Sequence, residues 1–178
     1  MYTHLLDFWL REIHPEQWRT VDPAFDALLT EHFAPLLGQA AQGELFAWRV
    51  TPQGRLAEVI ALDQFSRNIY RNTPRAFLQD PMALALAQEA VSAGALEQLE
   101  TMERVFLLMP YMHSESALVH REAERLFKQW TPERFYGFEL RHKAIIDRFG
   151  RYPHRNRLVG RVSTPEEEQF LTQPGSSF

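Results

Sequence analysis

An all-α fold is what the sequence predicts, and three observations carry the prediction. Apolar residues recur at three- and four-residue spacings, as in Phe25, Leu28, Leu29, Phe33, Leu36 and Leu37, which gathers them on one helix face. Thr or Asp precedes Pro at Asp22, Thr51, Thr73, Asp80, Thr131 and Thr164. A side-chain oxygen that takes a free amide, followed by a residue with no amide to leave unpaired, is a helix start with a mechanism. No segment sustains period-two alternation and none carries a hairpin signal. The spacing of the starts suggests a right-handed α-α superhelix of antiparallel helix pairs and not a simple four-helix bundle.

The first helix is expected over about residues 3–13, with Leu5, Leu6, Trp9 and Ile13 as its buried stripe and His14-Pro15 as its end. The second follows Asp22, and Pro35 is expected to break it in two. A short helix carrying Phe46 and Trp48 is expected over 40–50, and a central helix from Thr51 to about Arg71. An alanine-rich helix over 82–93 closes at Gly94, a residue that tolerates the left-handed conformation. The helix from Thr101 is expected to stop at Pro110. Helical periodicity resumes after Ser116 with Val119, Ala123, Leu126, Phe127 and Trp130. The last long helix then runs from Thr131 to Gly150. Thr164 and Glu167 form a capping box for a short terminal helix.

The length of 178 residues is that of one domain, 1–178. No apolar run approaches the ~20 residues of a membrane span. The N-terminal segment has no basic n-region and carries Asp7 and Glu12, so a cytoplasmic protein is expected. The absence of cysteine excludes disulfides, thiolate nucleophiles and thiolate metal sites. A net charge of −4 argues against general nucleic-acid binding. The charge is uneven, with seven Lys or Arg against Asp147 alone between Arg141 and Arg161. Either this segment packs on the acidic stretch 95–124 and neutralises it, or it forms a basic pocket for an anion.

Three polar clusters stand out. On a helical wheel Leu56, Ile60, Asp63, Arg67 and Arg71 share one arc, so an apolar stripe turns charged without leaving its face. Gln64 and Asn68 lie beside it. Buried charges need partners, while on an open surface the same pattern is a solvated face. His113, Ser114, Glu115 and Ser116 enter a helix N-terminus, where an anion is favoured. There the serines read as caps, and His113 either is a hydrogen-bonded structural residue or moves a proton with Glu115 nearby. The third cluster joins His142, which is on an apolar stripe, to Arg148, Arg151, His154, Arg155, Asn156 and Arg157. Its guanidinium forks suit carboxylate or phosphate. No metal-ligand spacing, Gly-rich phosphate loop or nucleophile elbow is present, so neither a metal nor a cofactor is expected.

The strings LDFW at 6–9, LDQFSRNIYR at 62–71, PRAF at 74–77, FLLMPYMHSES at 106–116, RFGRYPHRN at 148–156 and the ending STPEEEQFLTQPGSSF occur in this order. On these strings the chain resembles, over nearly its full length, a bacterial family known as domain of unknown function family 924. The resemblance implies a tetratricopeptide-like α-α superhelix. It implies no activity and carries over no catalytic residue, but its strings coincide with the three polar clusters.

Two readings of function stay open. In the favoured one, a pocket binds a small anionic ligand, in an enzyme or a ligand-dependent protein. There Arg67, Arg71, Arg148 and Arg155 clamp the anion, Asp63, Asn68, Glu115, His142 and Asn156 complete the site, and His113 or His154 transfers a proton. In the other, a helical superhelix docks a protein or peptide partner and the clusters are staples between helices.

Overall fold

Caps and close contacts set where the helices begin. Thr51 Oγ1 accepts the amide of Gly54 at 3.0 Å, Asp22 Oδ1 accepts those of Ala24 and Phe25, and Thr164 and Glu167 cap reciprocally. A computed structural model describes residues 2–177, and among them the chain is helical with no strand. The helices are α1 (Tyr2–Asp7), α2 (Pro23–Ala41), α3 (Pro52–Ile60), α4 (Ser66–Ile69), α5 (Asp80–Ser92), α6 (Ala95–Gln98), α7 (Thr101–Met112), α8 (Ala117–Trp130), α9 (Glu133–Phe149) and α10 (Pro165–Leu171). Helix α1 runs into a π-helical turn, Phe8–Glu12, and α3 runs through another, Ala61–Phe65, into α4. Short 3-10 turns cover Phe46–Val50, Pro74–Phe77 and Pro153–Arg155. Among the described residues no helix is long and apolar enough to cross a membrane.

The main core is aromatic at its centre. Trp9 lies edge-on to Phe65 at 5.4 Å and to Phe106 at 5.9 Å, and Phe33 meets Phe65 at 4.9 Å. Ala83, Ala87 and Ala90 of α5 are fully buried, and α5 packs on both α3 and α7. Side chains this small let the backbones come close. Gly54 serves the same end, because a Cβ there would lie 2.0 Å from the carbonyl oxygen of Trp48. A second, smaller cluster joins Ile145, Ile146 and Tyr152 to Phe149 and Phe170.

Several expected boundaries differ. Helix α2 runs unbroken past Pro35; the proline is on the solvent face, where the carbonyl it strands can bond to water. Helix α7 likewise continues through Pro110 to Met112, held by packing on α3, α5 and α8. In the segment 40–50, Ala40 and Ala41 close α2, a turn with Gly43 at φ 72° follows, and the expected short helix is reduced to the 3-10 turn Phe46–Val50, with Phe46 exposed. Asp80 begins α5, yet its side chain caps nothing.

Candidate functional site

The π-helical turn Ala61–Phe65 inserts a residue into the helix that α3 begins, a distortion that recurs at functional sites. Its Asp63 is buried, with 1% of its surface exposed. Asp63 Oδ1 meets Nδ1 of His113 at 2.7 Å and Nη1 of Arg67 at 3.0 Å, and Gln64 Nε2 donates to Oδ2. Burial opposes charge on Asp63. Arg67 and the bonds from His113 and Gln64 outweigh it and hold the carboxyl far below the usual carboxylate range. For His113, burial and then Arg67 win over the pull of Asp63, and its pKa falls below the ordinary histidine value. His113 is therefore neutral at pH 7. With Asp63 a carboxylate, the ring proton is on Nδ1 and donates to it, which leaves the Nε2 lone pair as the basic atom.

The stretch of backbone carrying His113 is held by side chains from elsewhere in the chain. Helix α7 ends at Met112, where carbonyls lose their intrahelical donors. Three in a row are taken in turn. Tyr152 Oη donates to Met112 O at 2.5 Å, Arg155 Nη2 to His113 O at 3.0 Å, and His120 Nε2 to Ser114 O at 2.8 Å. His120 is oriented in turn by Glu139, whose Oε1 is 2.7 Å from Nδ1, and both residues are fully buried. Burial pushes the Glu139 carboxyl up against the pull of His120. Gly150, at φ 69°, ends α9 and turns the chain into the loop that supplies Tyr152 and Arg155.

A cleft of about 330 Å3 opens over this constellation, lined by Asp80, His113, Ser114, Glu115, Arg155 and Arg161 and by the apolar Phe77, Pro81, Leu84, Pro110 and Val159. Asp80 accepts a bidentate pair from Arg67 at 2.9 and 3.0 Å and a third bond from Arg155 at 3.2 Å. Arg155 also lies 4.6 Å from the ring centroids of Phe77 and Tyr152. Glu115 accepts the Tyr152 amide at 2.7 Å and a bidentate pair from Arg161. Three guanidiniums, of Arg67, Arg155 and Arg161, thus face three carboxylates, of Asp63, Asp80 and Glu115. The local excess of base expected from the sequence is absent, because acids from distant segments fill the forks.

Of the residues expected in the site, Asp63, Arg67, His113, Glu115 and Arg155 come together. Arg71 and Asn68 instead turn to Asp26 of α2, at 2.6 and 3.0 Å. Arg148 pairs with Glu166 on the exposed surface. Asn156 is buried against Ser163 and Glu167, the latter also held by Arg151. His142 donates through Nδ1 to Phe138 O and lies edge-on to Tyr152, behind the cleft. His154 packs beside Tyr152 at 5.6 Å and does not line the cleft. Asp80, Tyr152 and Arg161 were missed as site residues, and Ser114, read as a cap, lines the cleft. Asp80 carried a signal that pointed elsewhere, since Asp before Pro reads as a cap. Among the described residues no three His, Asp or Glu side chains gather so as to hold a metal ion.

The family described as "Bacterial protein of unknown function (DUF924)" matches residues 5–175. The solved structure of a protein of unknown function, ATU0120, from Agrobacterium tumefaciens superposes with a TM-score of 0.91 at 34% identity, covering 96% of each chain. No curated protein matches. A match over almost the whole chain, with a structural relative of such likeness, leaves one conclusion: the chain belongs to the DUF924 family.

Proposed function

We propose that the cleft beside α5 binds a small molecule and that His113 acts there as a general base. The observation that carries this reading is the 2.7 Å contact between His113 Nδ1 and the buried carboxylate of Asp63. A carboxylate on one ring nitrogen fixes the tautomer, orients the ring and stabilises the imidazolium that forms when the other nitrogen takes a proton. A structural histidine needs none of this at the wall of an open cleft. The bound group is then a hydroxyl, an amide N–H or a water that gives its proton to Nε2, with Ser114 and Arg155 beside it.

The anionic ligand suggested by the arginine count has less support than the cleft itself. A carboxylate or phosphate would compete with Asp80 and Glu115 for guanidiniums they already neutralise. The reading as a partner-docking module is favoured by one observation, that Arg71, Arg151 and Arg161 each tie distant segments together. Such staples account for the arginines but give no role to the Asp63–His113 pair.

The test is a thermal-shift screen of hydroxylated metabolites, phosphorylated metabolites, nucleotides and dicarboxylates on wild type beside His113→Gln. A ligand at ~100 times its dissociation constant adds about 2.7 kcal/mol to stability. The expected result is stabilisation by hydroxylated compounds, lost in the variant. Hits that stabilise both proteins equally would contradict the assignment.

A further inference from the structure

The cleft does not end at Pro81. A wider hollow of about 590 Å3 opens beside it, and the two share Phe77, Pro81 and Val159. Along this path the lining changes in one direction. His113, Asp80 and Arg155 stand at the inner end, whereas the outer hollow is lined by Pro74, Leu78, Leu158 and Gly160 beside the shared residues, with no polar side chain. Leu78 is 66% exposed and Val159 39% exposed, apolar surface that costs free energy in water unless something covers it.

The walls are set before anything binds. Pro74 opens the 3-10 turn Pro74–Phe77, and Pro81 occupies the first turn of α5, so little backbone ordering is left to be done on binding. Arg155 already lies 4.6 Å over the Phe77 ring, so the one aromatic ring of the outer hollow is engaged, and the remaining walls are aliphatic. The walls therefore suit methylene groups better than a stacked ring.

We propose that the ligand of the His113 cleft is an amphipathic small molecule, with a hydroxyl-bearing head at His113 and an aliphatic tail laid past Phe77, Pro81 and Val159 toward Leu78 and Leu158. This rests on reading the cleft as a binding site. The paired arginines make an uncharged head preferable to a carboxylate, and the continuous apolar lining gives affinity that grows with tail length. Each methylene buried is worth about 0.8 kcal/mol, roughly a fourfold gain in affinity.

The experiment titrates the whole protein with linear primary alcohols and with the matching linear carboxylates, from four to ten carbons, by calorimetry and by the ring signals of His113 in NMR spectra. The alcohols are expected to bind about fourfold more tightly per added carbon until the groove is filled, to shift the His113 signals, and to bind more tightly than carboxylates of equal length. Leu78→Ser and Val159→Ser should flatten the dependence on length. Leu118→Ser, at an exposed leucine on α8, should leave it intact. All three positions are exposed, so folding is not at issue. If short alcohols shift His113 but added carbons gain nothing, the tail groove is overturned and the cleft stands. If long chains bind without touching the His113 signals, or equally in all variants, head and tail do not share a site and the inference fails. No binding by any member also overturns it, while the His113→Gln screen judges the cleft separately.

Discussion

Asp63→Ala lowers the free energy of unfolding by about 3 kcal/mol, the lower end of the 3–5 kcal/mol range for breaking a buried ion pair. The substitution strips His113 of its acceptor and Arg67 of one carboxylate. Arg67 keeps Asp80, which is why the loss stays at the lower end. Urea unfolding measures it directly. The exposed pair Arg148–Glu166, with side chains 49% and 61% exposed, supplies the contrast. Arg148→Ala should cost less than about 1 kcal/mol. Equal losses in the two variants would mean that the Asp63 network contributes no more than a surface pair.

Stability falls steeply as pH drops from 6.5 to 4.5, above the range where most carboxylates are protonated. Burial drives His142 down to about 3 and His154 down to about 4, whereas both titrate near 6.5 when unfolded. Across that window the unfolded chain binds more protons than the folded one, so stability is lost as pH falls. Two histidines over two pH units, at 1.36 kcal/mol per unit each, amount to something on the order of 5 kcal/mol. His113 adds to the loss in the same direction. Asp63 adds nothing there, because a carboxyl held low keeps its contribution until pH falls below the unfolded carboxylate value. Glu139 opposes the loss, since its raised pKa favours the folded state as protons are added. Urea titrations at pH 7 and 4.5 give the slope, and His142→Leu should make it shallower. A flat profile would show these rings to be solvated.

Local rules made the helices legible. Asp22, Thr51 and Thr164 cap as their neighbours predict, and the stripe of Leu5, Leu6, Trp9 and Ile13 is buried. The limits of these rules appear at Asp80 and Arg71. The residues around Asp80 say helix start, but its carboxylate goes to Arg67 and to Arg155, far along the chain. No periodicity encodes that pairing. On a regular wheel Arg67 and Arg71 share one arc, yet one pairs with Asp80 at the cleft wall and the other with Asp26. A wheel at constant pitch also fails beyond the π-helical turn, which shifts later residues around the axis. Concentration of Asp63, His113 and Arg155 in three separate polar clusters was visible; which arginines were already neutralised depended on acids contributed by α2, α5 and α10.

The role proposed for His113 requires a neutral ring, protonated on Nδ1 by virtue of Asp63, that accepts a proton at Nε2. Nitrogen-15 NMR of the histidine rings across pH 4 to 8 tests it most directly. The expected result is the Nδ1–H tautomer at pH 7, a titration below that of an ordinary histidine, and loss of the tautomer preference in Asp63→Asn. An Nε2–H tautomer, or an imidazolium still charged at pH 7, would contradict it.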